Sequence, residues 1–145
     1  MSIKFKSLKA GDERVLARVA PDVFDNPLDE RLRTEFLQDP RHHIAVAIEE
    51  GVVVGFASAV HYIHPDKPAE LWVNEVGVAP THRRRGVAKG LLALLFGVGR
   101  REGCGAAWVL TERSNAPAVR LYESCGGTEA TDETVMFSFD LTGRE

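Results

Sequence analysis

Cysteine is scarce in this chain: Cys104 and Cys125 are the only two. They lie too far apart for a CxxC site and are too few for a disulfide scaffold, so a reducing, cytoplasmic setting is expected. Long hydrophobic runs are missing as well. The longest apolar stretch, Val87 to Val98, is interrupted by Lys89 and falls short of the roughly 20 residues a membrane span needs. Ile3-Lys4-Phe5-Lys6 alternates charge and hydrophobe where a signal peptide carries an apolar run of about 7–15 residues, and no export is expected. Nor is there a surplus of positive charge. Eighteen Lys and Arg against twenty-one Asp and Glu give a net charge of −3, the wrong sign for a chain that lives by binding phosphate backbones, so nucleic acid is not an expected partner. A GK[ST] loop is absent, since Lys89 precedes Gly90 without one, and so is GxGxxG, which removes nucleotide triphosphatase and dinucleotide-binding readings. His42 and His43, or His61 and His64, have no third ligand at suitable spacing, and no metal site is assigned.

What is present fits one domain. The 145 residues match about one domain length, and 44% hydrophobic content suffices for a globular core. Ile3 and Phe5 share a parity and predict a first strand. Val15, Leu16, Val19 and Ala20 predict a short helix stopped by Pro21, and Asp29 caps a second helix ending before Pro40. Strands are expected at 43–49 and 52–63 around a turn at Glu50-Gly51, and at 70–78, the last placed centrally in the sheet. Residues 86–102 predict an amphipathic helix, 106–110 a strand, 115–124 a helix and 134–141 a final alternating strand. The order implies an α/β domain of the α+β type, with helices flanking a mixed, largely antiparallel sheet.

The segment carrying most information runs from Val76 to Ala88, a strand that stops, turns through Arg83, Arg84 and Arg85, and starts a helix at Gly86. Helix N-termini offer unpaired N–H groups and partial positive charge, and arginine adds charge-assisted bonds, so such a turn suits a diphosphate. Three arginines alone are equally a solvated surface patch. A second element, Asn115 to Gly126, follows the next strand at the spacing of a second crossover. Together the two segments resemble the GNAT N-acetyltransferases. Arg83-Arg84-Arg85-Gly86-Val87-Ala88 is similar to their RxxGxA acetyl-CoA loop, and Asn115 to Gly126 to their NxxAxxLYxxxG helix. The likeness covers nearly the whole chain and implies a single GNAT-like domain over residues 1–145 with acetyl-CoA as co-substrate. It implies that amides around Val76 and Val78 bind the pantetheine arm, that Arg83 through Ala88, Val87 included, cradle the diphosphate, and that Asn115 contacts the pantetheine. Tyr122 is then the general acid beside the departing sulfur, the alternative being a packing residue. A thiolate of solution pKa near ~8.5 gains from a positioned donor, and a phenol can be one.

Glu75 stands on the fourth strand, where a carboxylate facing inward requires a cleft. There it can bind a cationic acceptor and, directly or through water, take the proton an ammonium must lose before attack. An outward-facing strand residue is the alternative. Glu70 to Val78, His82 to Arg84 and Val135 to Leu141 also resemble GNAT-type aminoglycoside 3-N-acetyltransferases. In those enzymes acidic residues match Glu75 and Glu112, implying both as substrate-binding groups for a small polycationic amine. Asp22, Asp25, Asp29, Asp132 and Glu133 are further loop acids that could surround an acceptor cleft. Acetylation of a polyamine, an amino acid or a protein N-terminus is the alternative within the enzyme class, and a non-catalytic acetyl-CoA-binding module the alternative outside it. A homodimer is implied by family analogy.

Overall fold

A computed structural model describes residues 2–130 and 133–143. Its frame is a five-stranded sheet in the order β1-β2-β3-β4-β5, comprising β1 (Lys4–Ser7), β2 (His42–Glu49), β3 (Val52–Tyr62), β4 (Glu70–Val78) and β5 (Ala106–Val109). Three pairings are antiparallel and the last, β4 with β5, is parallel. Glu50 and Gly51 join β2 to β3 with φ of 51° and 77°, the double left-handed geometry that a two-residue hairpin requires. The middle strand is β3, not β4 as the sequence suggested. Its run from Val53 to Ala59 is buried throughout, and small residues at Gly55, Ala57 and Ala59 admit a helix on one face. That helix is α2 (Val87–Arg101), whose Val87 and Leu91 fill the space a Cβ on Gly55 would occupy. Leu91, Leu92 and Leu95 are among the most deeply buried side chains.

The first predicted helix is a 3-10 turn at Glu13–Ala17. Arg18 and Ala20 exchange backbone hydrogen bonds with Val53 at 2.9 Å each, which draws the chain alongside β3 and leaves no length for an α-helix. Helix α1 (Glu30–Gln38) begins at Asp29 as expected, with the carboxylate accepting from the Leu32 N–H at 2.9 Å. Helix α3 (Ala116–Ser124) follows β5. The expected strand at 134–141 does not form: these residues have no regular structure, and Val135, Met136, Phe137, Phe139 and Leu141 are 70–92% exposed. Their alternation defines two faces, but the described residues supply no strand to pair with them.

Candidate active site

Strand β4 extends well beyond its partner. Parallel pairing with β5 covers only Glu70 to Val73, so from Asn74 to Val78 the β5 side of the strand is open. Ala79 donates its N–H to Val54 O, towards β3, at 2.8 Å. Because successive N–H groups alternate along an extended strand, those of Val78 and Val76 point to the open side. These amides are the ones expected to meet a pantetheine arm.

After β4 the chain makes a short 3-10 turn at Pro80–His82 and enters α2. Arg84 and Gly86 have φ of 63° and 76°; the first is a rare conformation for a side chain with a Cβ, and the second favours glycine. The two reversals aim the Arg83–Gly86 backbone at the start of α2. Gly90 N–H is the donor that reaches Gly86 O, at 3.0 Å, which leaves the amides of Val87, Ala88 and Lys89 as free first-turn donors. A Cβ on Gly86 would meet nothing within 4 Å, so this corner faces open space. Arg83, Arg84 and Arg85 are exposed around it. Free amides, a helix N-terminus and three guanidinium groups make a cradle with the chemistry of a diphosphate site.

Two residues outside the sequence-based set hold this turn. Glu49, the last residue of β2, accepts from His82 Nε2 at 3.0 Å and lies 3.7 Å from Arg85 Nη2. The hydrogen bond from His82 foremost, with the positive charge of Arg85, holds the Glu49 carboxyl below its usual value of 4.5. No motif marks Glu49; its only signal is its place immediately before the Glu50-Gly51 hairpin.

A β-bulge sets the face of Glu75. The register pairs Ser58 with Glu75 and Val60 with Trp72, with a shift between Ser58 and Ala59. Asn74 is therefore the extra residue, and Glu75 shares a face with Trp72 although three positions away. On that face Gly77 pairs with Phe56, Phe24 stacks on Phe56 with centroids 3.9 Å apart, and the Trp72 and Trp108 rings stack at 5.0 Å. Glu75 is exposed and forms no ion pair among the described residues.

Tyr122 and Glu112 both line a cavity of about 1240 Å³ bounded by α2, β5, α3 and residues 134–136. Burial pushes the Tyr122 phenol above its ordinary value of 10, with the nearby Cys125 acting in the same direction; it is protonated at neutral pH. Glu75, Val76 and Val78 are not on this lining. Asn115 serves as the N-cap of α3, its Oδ1 accepting from Ala118 N–H at 3.2 Å, a local duty that the family likeness did not include. Asp29 caps α1, and Asp132 lies outside the described residues. The histidines pair with neighbours: His43 Nε2 with His61 Nδ1 at 2.8 Å, and His64 with Glu70 at 2.7 Å. Among the described residues no group of three metal-ligating side chains forms.

The model of the acetyltransferase (GNAT) family matches residues 13–127, a span holding the open strand, the diphosphate cradle and all of α3. The chain belongs to the GNAT acetyltransferase family. Streptothricin acetyltransferase of Streptomyces lavendulae is 33% identical over 61% of this chain; the match spans 44% of that protein, less than half its length. Aminoglycoside N(6′)-acetyltransferase type 1 of Salmonella typhimurium is 30% identical over 71% of this chain and 72% of its own. That relative carries the N(6′) designation, not the 3-N position of the sequence resemblance. The crystal structure of an aminoglycoside acetyltransferase from an uncultured soil metagenomic sample superposes with a TM-score of 0.79 at 24% identity, over 98% of this chain and all of that one. This GNAT chain therefore has the family's fold, with the β4 opening and the α2 cradle on adjoining elements.

Proposed function

We propose that this GNAT protein transfers the acetyl group of acetyl-CoA directly to an amine of a small polycationic acceptor, an aminoglycoside being the best-supported class. The observation that carries the cofactor half is the continuity between the open β4 amides at Val76 and Val78 and the cradle of Arg83 to Ala88. An acyl-CoA laid along them has its thioester arm on the strand and its diphosphate at the helix start. The named relatives act on streptothricin and on aminoglycosides, which supports the acceptor class. Glu75 and Glu112 supply acidic groups that attract a polycation.

In the reaction the amine nitrogen attacks the thioester carbonyl, and collapse of the tetrahedral adduct forms the amide and breaks the C–S bond. Glu75, through water, receives the ammonium proton that must leave before attack; Tyr122 gives its phenolic proton to the departing thiolate and is reprotonated by the second proton that the nitrogen sheds as the amide forms. Residues 1–145 act as one catalytic domain in a cytoplasmic setting. No helix among the described residues is long and apolar enough to cross a membrane. The exposed apolar side chains from Val135 to Leu141 support a homodimer, since such a patch on a folded protein marks an interaction surface.

The decisive experiment monitors CoA thiol release with a panel of gentamicin, kanamycin, spermidine, free amino acids and an N-terminal peptide, identifying products by mass. Aminoglycoside-dependent release with one added acetyl group is the expected result. Turnover of another amine alone overturns the acceptor class, and silence throughout overturns the enzyme in favour of a cofactor-binding module.

A further inference from the structure

The hairpin of β2 and β3 is remote in sequence from the turn between β4 and α2, yet a chain of polar side chains ties them together. Thr81 Oγ1 and His82 Nδ1 are 2.8 Å apart, His82 Nε2 and Glu49 Oε1 3.0 Å, and Arg85 Nη2 and Glu49 Oε2 3.7 Å. The chemistry assigns the protons. A carboxylate accepts only, so His82 donates from Nε2, and its Nδ1 then accepts from the Thr81 hydroxyl. His82 also donates its backbone N–H to Ala79 O at 2.8 Å. The side chains of His82 and Glu49 are 12% and 17% exposed, so this link is shielded from water far more than an ordinary surface pair. Glu49 itself is the last residue of β2 and pairs with Val52 of β3, which makes it a fixed post.

The turn needs such a post. Arg84 holds a left-handed backbone with a Cβ present, a conformation costing about 1 kcal/mol or more that persists only where its surroundings impose it. It is flanked by the two residues, His82 and Arg85, that Glu49 grips. Released from Glu49, the turn would relax away from the geometry that converges its amides, and preorganised donors lose effect when they must be ordered at the moment of binding.

We propose that Glu49 is a positioning residue for the diphosphate loop: by gripping His82 and Arg85 it fixes residues 80–86 in the shape whose amides receive the acetyl-CoA diphosphate. The inference rests on the reading of Arg83 to Ala88 as the cofactor cradle. Glu49 touches neither the thioester nor the acceptor in this scheme, and its effect is confined to the phosphate-bearing half of the ligand.

That confinement gives the test. Acetyl-CoA binding is measured by calorimetry, and binding of S-acetylpantetheine, which carries the thioester arm without the diphosphate, by NMR titration, for wild type, Glu49→Ala and Glu49→Gln. Circular dichroism verifies folding. Glu49→Ala is expected to raise the Kd of acetyl-CoA about tenfold while S-acetylpantetheine changes less than about twofold. Glu49→Gln, which keeps an oxygen for His82 but no charge for Arg85, falls between. Unchanged acetyl-CoA affinity in folded Glu49→Ala overturns the proposal alone, as does equal weakening of both ligands, which makes Glu49 a general structural residue. Wild-type protein that binds the two ligands equally overturns the cradle and the proposal with it. If Glu49→Ala fails to fold, the same comparison on Glu49→Gln decides: loss of acetyl-CoA affinity alone supports the tether, and no loss or equal loss overturns it.

Discussion

Tyr122 illustrates how a single side chain can be chemically poised without any charged partner. Its place on α3 half-buries the ring against the cavity, and burial raises the phenol pKa, so the group arrives at neutral pH as an O–H donor. Its hydroxyl makes no hydrogen bond within the described residues, which leaves that donor available. Tyr122→Phe removes the proton and keeps the ring. Steady-state kinetics should show kcat lower by roughly 10²–10⁴ with the acetyl-CoA Kd changed less than about twofold. An unaltered kcat returns Tyr122 to packing. Asn115 teaches the converse at the same scale. The likeness that singles it out is satisfied by a helix cap, because an asparagine one residue before Ala116-Pro117 is the local choice for accepting a first-turn N–H.

Among the elements, close approach separates two glycines that look alike in the sequence. A Cβ on Gly77 in β4 would strike the Val23 carbonyl and the Phe56 ring, whereas one on Gly90 in α2 would meet the Phe5 ring at 2.7 Å. Backbone cannot step aside, but Phe5, 43% exposed, can swing into solvent. Gly77→Ala is therefore expected to destabilise by about 1–3 kcal/mol, since the 21–29 segment must move off the sheet. Gly90→Ala should leave Tm level or raise it, as alanine favours a helix interior by about 1 kcal/mol. Thermal denaturation followed by circular dichroism checks both, and equal Tm losses would show that Phe5 is as fixed as the backbone. Periodicity and punctuation made much at this scale legible: Glu70–Val78 as a strand, the cap at Asp29, and the helix after Gly86 all follow from neighbouring residues. The exceptions depend on distant partners. Val53 draws in the 18–20 segment, the flanking strands place β3 in the middle, and residues 134–141 alternate without an edge to join. The cradle was readable because its residues are contiguous. Glu49 was not, because 33 residues separate it from His82, and nothing in a linear pattern links a hairpin shoulder to a turn across the sheet.

For the whole molecule, the site and the fold respond to acid through different groups. His43 on β2 hydrogen-bonds His61 on β3. Burial foremost, then the positive charge of His61, pushes the His43 pKa below its ordinary 6.5; Glu102 at the end of α2 and Asp39 oppose the shift, and His42 adds to it. The unfolded chain therefore takes up this proton more readily than the native state. By linkage the stability associated with His43 is complete above about pH 6.5 and is lost as pH falls from there through the lower native value. Glu49 and Asp39, whose native pKa values are also depressed, follow the same sign in a more acidic window, beginning near their ordinary values of 4.5 and 3.8. Denaturant titrations from pH 8 to pH 4 should show stability falling first as pH drops below about 6.5, then further below about 4.5. His43→Gln should flatten the first fall and leave the second in place, even where loss of the hydrogen bond to His61 lowers the plateau. A first fall of undiminished slope in that variant would assign it to another group. Because Glu49 stays ionised through the first window, acetyl-CoA affinity is expected to hold down to about pH 5 while global stability is already declining.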